Sequence, residues 1–193
     1  MRQHKRWVLS LVFLLTVAGC TADSEVFYND DIGYFYTRNL VNYTARDGSM
    51  PVVTYGNPFE RLPSAAAGIS DRKSPLPDGL TLPPYFNNIP LRHRLAEDDP
   101  AGRLVLLFDP EKPTTPQSLC TGNKVWSKPG KGRLVIQGAF CYNDKVATSV
   151  MTDMKRPANR NDPAYRRQME SMMGELFPFK GPNDGSCPNT SRC

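Results

Sequence analysis

The sequence predicts an α+β domain: a small antiparallel β-sheet covered by one C-terminal amphipathic helix, with long Pro-rich loops. Three stretches carry that expectation. Arg103-Leu104-Val105-Leu106-Leu107-Phe108 is a continuous apolar run of strand length, the pattern of a strand buried on both faces. From Arg133 to Cys141 the residues alternate, with Leu134, Ile136, Gly138 and Phe140 on one face, and the short Asn143-Asp144 turn leads into the β-rich Lys145–Met151, an antiparallel meander. After Asp162 and Pro163, the side chains of Tyr165, Met169, Met172, Met173, Leu176 and Phe177 recur at helical spacing until Pro178.

Taken in order, the chain opens with an address. Residues 1–19 run from a basic start containing Arg2, Lys5 and Arg6 through an apolar stretch to small residues, the layout of a cleaved secretory signal too short to span a bilayer comfortably. The ending Val17-Ala18-Gly19-Cys20 resembles the lipobox of bacterial lipoproteins, in which Leu is commoner where Val17 stands. The resemblance implies cleavage after Gly19, a diacylglycerol thioether on Cys20 and acylation of the new amino terminus. Two or three chains anchor durably where one binds only marginally. Thr21 follows Cys20, and in the enterobacterial sorting rule the absence of Asp there implies the outer membrane, with a lipid-anchored, periplasm-facing protein. The inner membrane is the alternative.

Residues 20–37 are expected to be the lipidated cysteine and a tether, whose later aromatics, Tyr34, Phe35 and Tyr36 among them, pack on the domain or meet the bilayer surface. Residues 38–193 are expected to form a single α+β domain. Asn39–Thr44 and Met50–Tyr55 read as a hairpin around Arg46-Asp47-Gly48-Ser49, with Pro51 at a strand start or edge. Tyr55-Gly56-Asn57-Pro58-Phe59 closes the strand, Gly56 and Asn57 tolerating positive φ. Its Gly-Asn-Pro-Phe resembles an element of small proteobacterial envelope lipoproteins, a likeness that implies no activity.

Residues 60–101 read as a Pro-rich loop. Pro75, Pro77, Pro83, Pro84 and Pro90 interrupt any period, so the segment is expected to wrap the domain or to present prolines to a groove. His93, between Arg92 and Arg94, has no Ser or Cys motif to partner it and reads as a surface histidine. Residues 109–131 form a second long connection, and Lys124, Lys128, Lys131 and Arg133 make a local basic patch, a solvated face or a contact for anionic polymer or lipid heads.

Cys120, Cys141, Cys187 and Cys193 remain after lipidation of Cys20, an even number that reads as disulfides in an oxidising envelope. Three connectivities are open. Cys120 with Cys141, and Cys187 with Cys193 tying the tail 180–193, is the favoured set; the first would close a loop of about twenty residues, worth roughly 3 kcal/mol.

Composition bounds the partners. Loss of Arg2, Lys5 and Arg6 with the signal lowers the 24 basic residues to 21 against 19 acidic ones, a near-neutral body that argues against nucleic acid. His93 is then the one histidine and no Cys-x-x-Cys pair occurs, so no metal site and no cofactor are expected. No serine elbow, metalloprotease helix or phosphate loop is present, and Asp109 and Glu111 are the sort of spaced carboxylates any chain offers. The expectation is therefore a non-enzymatic, membrane-anchored envelope lipoprotein in an accessory or structural role, holding a protein or polymer partner at the membrane. A divergent periplasmic hydrolase of wall or glycan is the alternative.

Overall fold

The computed structural model describes residues 26–59, 75–94 and 101–182, apart from Pro113, Lys124, Trp126, Pro129 and Lys131, and of residues 26–30 the backbone alone. The expected signal 1–19, Cys20, the start of the tether, Cys187 and Cys193 lie outside the described residues. The fold is α+β. Among the described residues six strands form one sheet: β1 (Val26–Ile32), β2 (Met50–Tyr55), β3 (Leu91–Arg94), β4 (Gly102–Phe108), β5 (Arg133–Tyr142) and β6 (Lys145–Lys155), in the order β1-β6-β5-β4-β2-β3. Helices α1 (Arg38–Thr44), α2 (Pro116–Thr121) and α3 (Pro163–Leu176) accompany it.

The centre matches its pattern. Every residue of β4 is buried, because β4 lies between β5 and β2 and both its faces are covered. Strands β4, β5 and β6 form the antiparallel meander, with Asn143 at φ 50° in the tight turn. On one face, Leu104, Leu106, Phe108, Leu134, Ile136 and Phe140 meet Tyr165, Met169, Met172, Met173 and Leu176 of α3. Burying each such side chain is worth roughly 1.5–3 kcal/mol, so this face holds most of the stability. Asp162 caps α3, its Oδ1 accepting from the Ala164 amide at 2.9 Å. Gly138 sets how close the helix can come: a Cβ there would stand 2.5 Å from Met172 Cε and 3.0 Å from Leu176 Cδ1. Polar groups at this interface are paired, with Gln168 Nε2 donating to Thr152 Oγ1 and Thr148 Oγ1 to the Leu176 carbonyl.

The opposite face carries a smaller core. Val53, Val105, Leu107 and Ala139 pack against Leu119 and Cys120 of α2, and the Cys120–Cys141 disulfide, with Cα atoms 5.4 Å apart, fastens that short helix to β5. This is the expected pairing for those two cysteines.

Four expectations need correction. Residues 38–44 form α1 rather than a strand: Thr37 Oγ1 caps it by accepting from the Leu40 amide, and Val41 and Ala45, four apart, are buried on one face. With no hairpin, β2 pairs in parallel with both β3 and β4. The sheet begins at Val26, inside the expected tether, with β1 adding to β6 as an antiparallel edge strand. Finally, the Pro-rich segment is not a simple loop. It contributes β3 and a 3-10 turn at Pro84–Phe86, and it buries Leu76, Leu80, Leu82 and Phe86 in the larger core. This crossover joins two parallel strands over one face of the sheet, so its apolar residues do the covering that a helix does elsewhere.

Candidate functional site

Strand polarity decides what gathers at each end of the sheet. β2 and β4 are parallel and start at the same end, while β5, antiparallel to β4, finishes there. Pro51, Gly102 and Tyr142 therefore converge, and the end of α1 adds Tyr43, Thr44, Arg46 and Asp47. With Arg94 from β3 they line an open cleft of about 410 Å³.

The lining is aromatic and cationic. Tyr43 and Tyr142 meet edge to face with centroids 6.3 Å apart, and the Arg46 guanidinium lies 4.5 Å from the Tyr43 ring centroid. Tyr43 is nevertheless 53% exposed. Among the described residues, neither Arg46 nor Arg94 makes an ion pair. Below them, Thr44 Oγ1 is buried without a hydrogen-bond partner. It lies where a side chain on residue 102 would go: a Cβ on Gly102 would be 2.2 Å from it.

The other end of the sheet is closed by charge. Asp109, at φ 49° just after β4, pairs with Arg156 at 2.6 Å, and their side chains are 6% and 9% exposed. Asp109 Oδ1 also accepts from the Val135 amide and Oδ2 from that of Gly130, at 3.3 and 3.4 Å. Arg156 donates in turn to the Pro58 and Arg133 carbonyls at 2.9 and 3.0 Å. The Gly-Asn-Pro-Phe turn has a role here. Gly56, at φ 77°, has no room for a Cβ against Ser127 and the Phe108 carbonyl, and the turn it makes delivers the Pro58 carbonyl to Arg156. Asp109 is thus committed to a structural network, whereas Glu111 is exposed.

Other residues singled out from the sequence are dispersed. His93 is half-buried rather than a surface group, its Nε2 2.9 Å from Thr54 Oγ1, and burial holds its pKa below the ordinary histidine value. Of the basic patch, Lys128 is exposed and Arg133 pairs with Asp153 at 2.6 Å; Lys124 and Lys131 lie outside the described residues. The methionines of α3 are core. On the α2 side, a hollow of about 200 Å³ is lined by Pro110, Gln137, Ser149 and Met151, and the buried Ser149 hydroxyl has no partner. Among the described residues no three His, Cys, Asp or Glu side chains are grouped to hold a metal, and no helix is long and apolar enough to cross a membrane.

The cleft was not foreseen. Its residues come from five separate segments, and only the parallel placement of β2 and β4 unites them. One local signal existed: Tyr43 lies in the last turn of α1 and Arg46 follows the cap residue Ala45, close enough in sequence for its guanidinium to reach the ring. Comparison with protein-family models, curated proteins and solved structures finds no match for the chain.

Proposed function

We propose that the protein is a cell-envelope lipoprotein, anchored through Cys20 and facing the periplasm from the outer membrane, that holds a partner at the membrane in an accessory role. The observation that supports this is the position of β1. Val26 pairs with Asp153, which pairs with Val135, so β1 starts at the Asp109–Arg156 end of the sheet. Its last residue, Ile32, pairs with Thr148, whose other neighbour Phe140 faces Leu104, at the cleft end. Val26 is six residues after Cys20, a reach of at most about 20 Å. An anchor at Cys20 therefore holds the closed end near the bilayer and directs the cleft away from it, at roughly 25–35 Å along the strands. A binding protein needs this arrangement: one end secured and the other presented to a partner.

Replacement of the anchoring sulfur provides the test. Wild-type protein is expected to take up labelled palmitate and to sediment with outer membranes, and Cys20→Ala to do neither. A Cys20→Ala variant that remains with the outer membrane, beside a wild type that takes up no label, removes the lipid anchor from this reading.

A further inference from the structure

We infer that the cleft between the end of α1 and the starts of β2 and β4 binds a carboxylate-bearing saccharide. As the source of that ligand in an envelope polymer, the inference rests on the lipoprotein reading; as a binding chemistry it rests on the cleft alone. Each part of the lining matches one part of such a ligand. Among the described residues Arg46 and Arg94 make no ion pair with a carboxylate, and a planar guanidinium pairs with a carboxylate through two parallel hydrogen bonds. The half-exposed ring of Tyr43 carries the Arg46 guanidinium over one face and meets Tyr142 edge to face, so the part it leaves open takes the apolar C–H face of a pyranose beside a cation. Asp47, which lines the same cleft, can accept hydrogen bonds from sugar hydroxyls. The volume of about 410 Å³ falls within the range of small-ligand clefts and suits one or two sugar units, leaving a longer polymer to continue into solvent.

The same features disfavour competing ligands. A phosphate dianion would meet the Asp47 carboxylate with two negative charges instead of one. A peptide binding as an added strand needs a free sheet edge. Here β2, β4 and β5, which floor the cleft, each already have neighbours on both sides, and such a pairing would have to use β3, the edge strand that carries Arg94 at the cleft's margin. On the floor of the cleft recognition therefore comes from side chains, and they offer rings, guanidinium groups and one carboxylate.

The test titrates the full-length protein, solubilised in detergent, by calorimetry with a galacturonate hexamer, with a neutral glucose hexamer of the same length, and with hexaglutamate. The galacturonate hexamer is expected to bind and to lose affinity as salt is raised, because exposed charge pairs are screened. The neutral hexamer is expected to bind at least about tenfold more weakly, as is appropriate to losing hydrogen bonds between charged groups. Arg94→Gln and Arg46→Gln should each weaken galacturonate binding by about tenfold at unchanged melting temperature, and Tyr43→Ala should weaken both sugars. Absence of galacturonate binding, equal binding of the neutral hexamer, or arginine variants that bind like wild type would overturn the inference. Hexaglutamate binding as tightly as the sugar would overturn it in favour of an acidic protein partner. None of these measurements depends on where the protein is anchored, so failure here leaves the Cys20 test standing, and failure there leaves this one.

Discussion

The two ends of the sheet treat charge in opposite ways. At the closed end, Asp109 and Arg156 are buried together, and each is further tied to backbone amides or carbonyls of neighbouring strands. At the open end, Arg46 is exposed and Arg94 half-buried, neither makes an ion pair among the described residues, an aromatic ring is half exposed and a threonine hydroxyl is left unpaired. A buried ion pair is tolerated only when hydrogen bonds offset its lost hydration, and then each partner depends on the other. Unpaired surface arginines contribute little to folding. The contrast separates residues that hold the fold from residues left available to a ligand.

The largest effect is expected from breaking the closed end. Asp109→Asn keeps a residue type that accepts positive φ but leaves Arg156 as a buried cation without its counter-charge. It should cost about 3–5 kcal/mol, read as the loss of unfolding free energy in urea, with galacturonate binding by the surviving folded fraction unchanged. Next comes the disulfide that joins α2 to β5 one residue before Tyr142. Cys120→Ser with Cys141→Ser should cost roughly 3 kcal/mol by loop closure. Hydrogen exchange should then quicken in Pro116–Thr121 before it does around Asp109.

A smaller and more local effect belongs to the floor of the cleft. Gly102→Ala drives a methyl group into Thr44 and should destabilise by about 1–3 kcal/mol. Thr44→Ala alone, which removes an unpartnered hydroxyl, should be close to neutral, and in the double variant it should restore part of the loss and no more, since the Cβ of residue 44 still stands 2.8 Å from the new methyl group, as a double-mutant cycle would report. The least effect is expected at His93 in β3. Burial lowers its folded pKa, so the unfolded chain takes up a proton that the folded chain resists. Stability should therefore decline as pH falls through about 6.5, the unfolded value, and stop declining below the folded one. Comparing denaturation midpoints at neutral and mildly acid pH checks the slope, which His93→Gln should flatten.

Elements whose period spans several residues were legible in the sequence. The apolar run of β4, the alternation of β5, the tight turn at Asn143 and the capped, periodic α3 all stand where their patterns put them, and so does the bond between Cys120 and Cys141. Misreadings came where local composition and tertiary pairing disagree. Asn39–Thr44 is rich in β-formers, yet a cap at Thr37 and the Val41/Ala45 spacing settle it as helix. Parallel pairing of β2 leaves no local mark, because its partners are brought by a crossover whose described part, 75–90, is proline-rich and has only a 3-10 turn. The leucines of that crossover were visible, but their spacing follows no period, so their burial depends on what they cover. The cleft shares this difficulty in a stronger form, since each of its residues is unremarkable until the strands are ordered.

The direction of β1 has a mechanical consequence. Among the described residues it is an edge strand held by β6 alone, and its first residue is the one nearest the proposed anchor. With the proposed anchor and the proposed cleft ligand both engaged, a pull between them would run along β1, sliding it past β6 instead of peeling it away. The ladder bonds then share the load together, although the irregularity between Tyr28 and Asp31 divides them into two groups. Were the cleft at the same end as Val26, the same tension would unzip the strand one bond at a time. The topology thus makes the chain's exposed edge a joint that resists stretching.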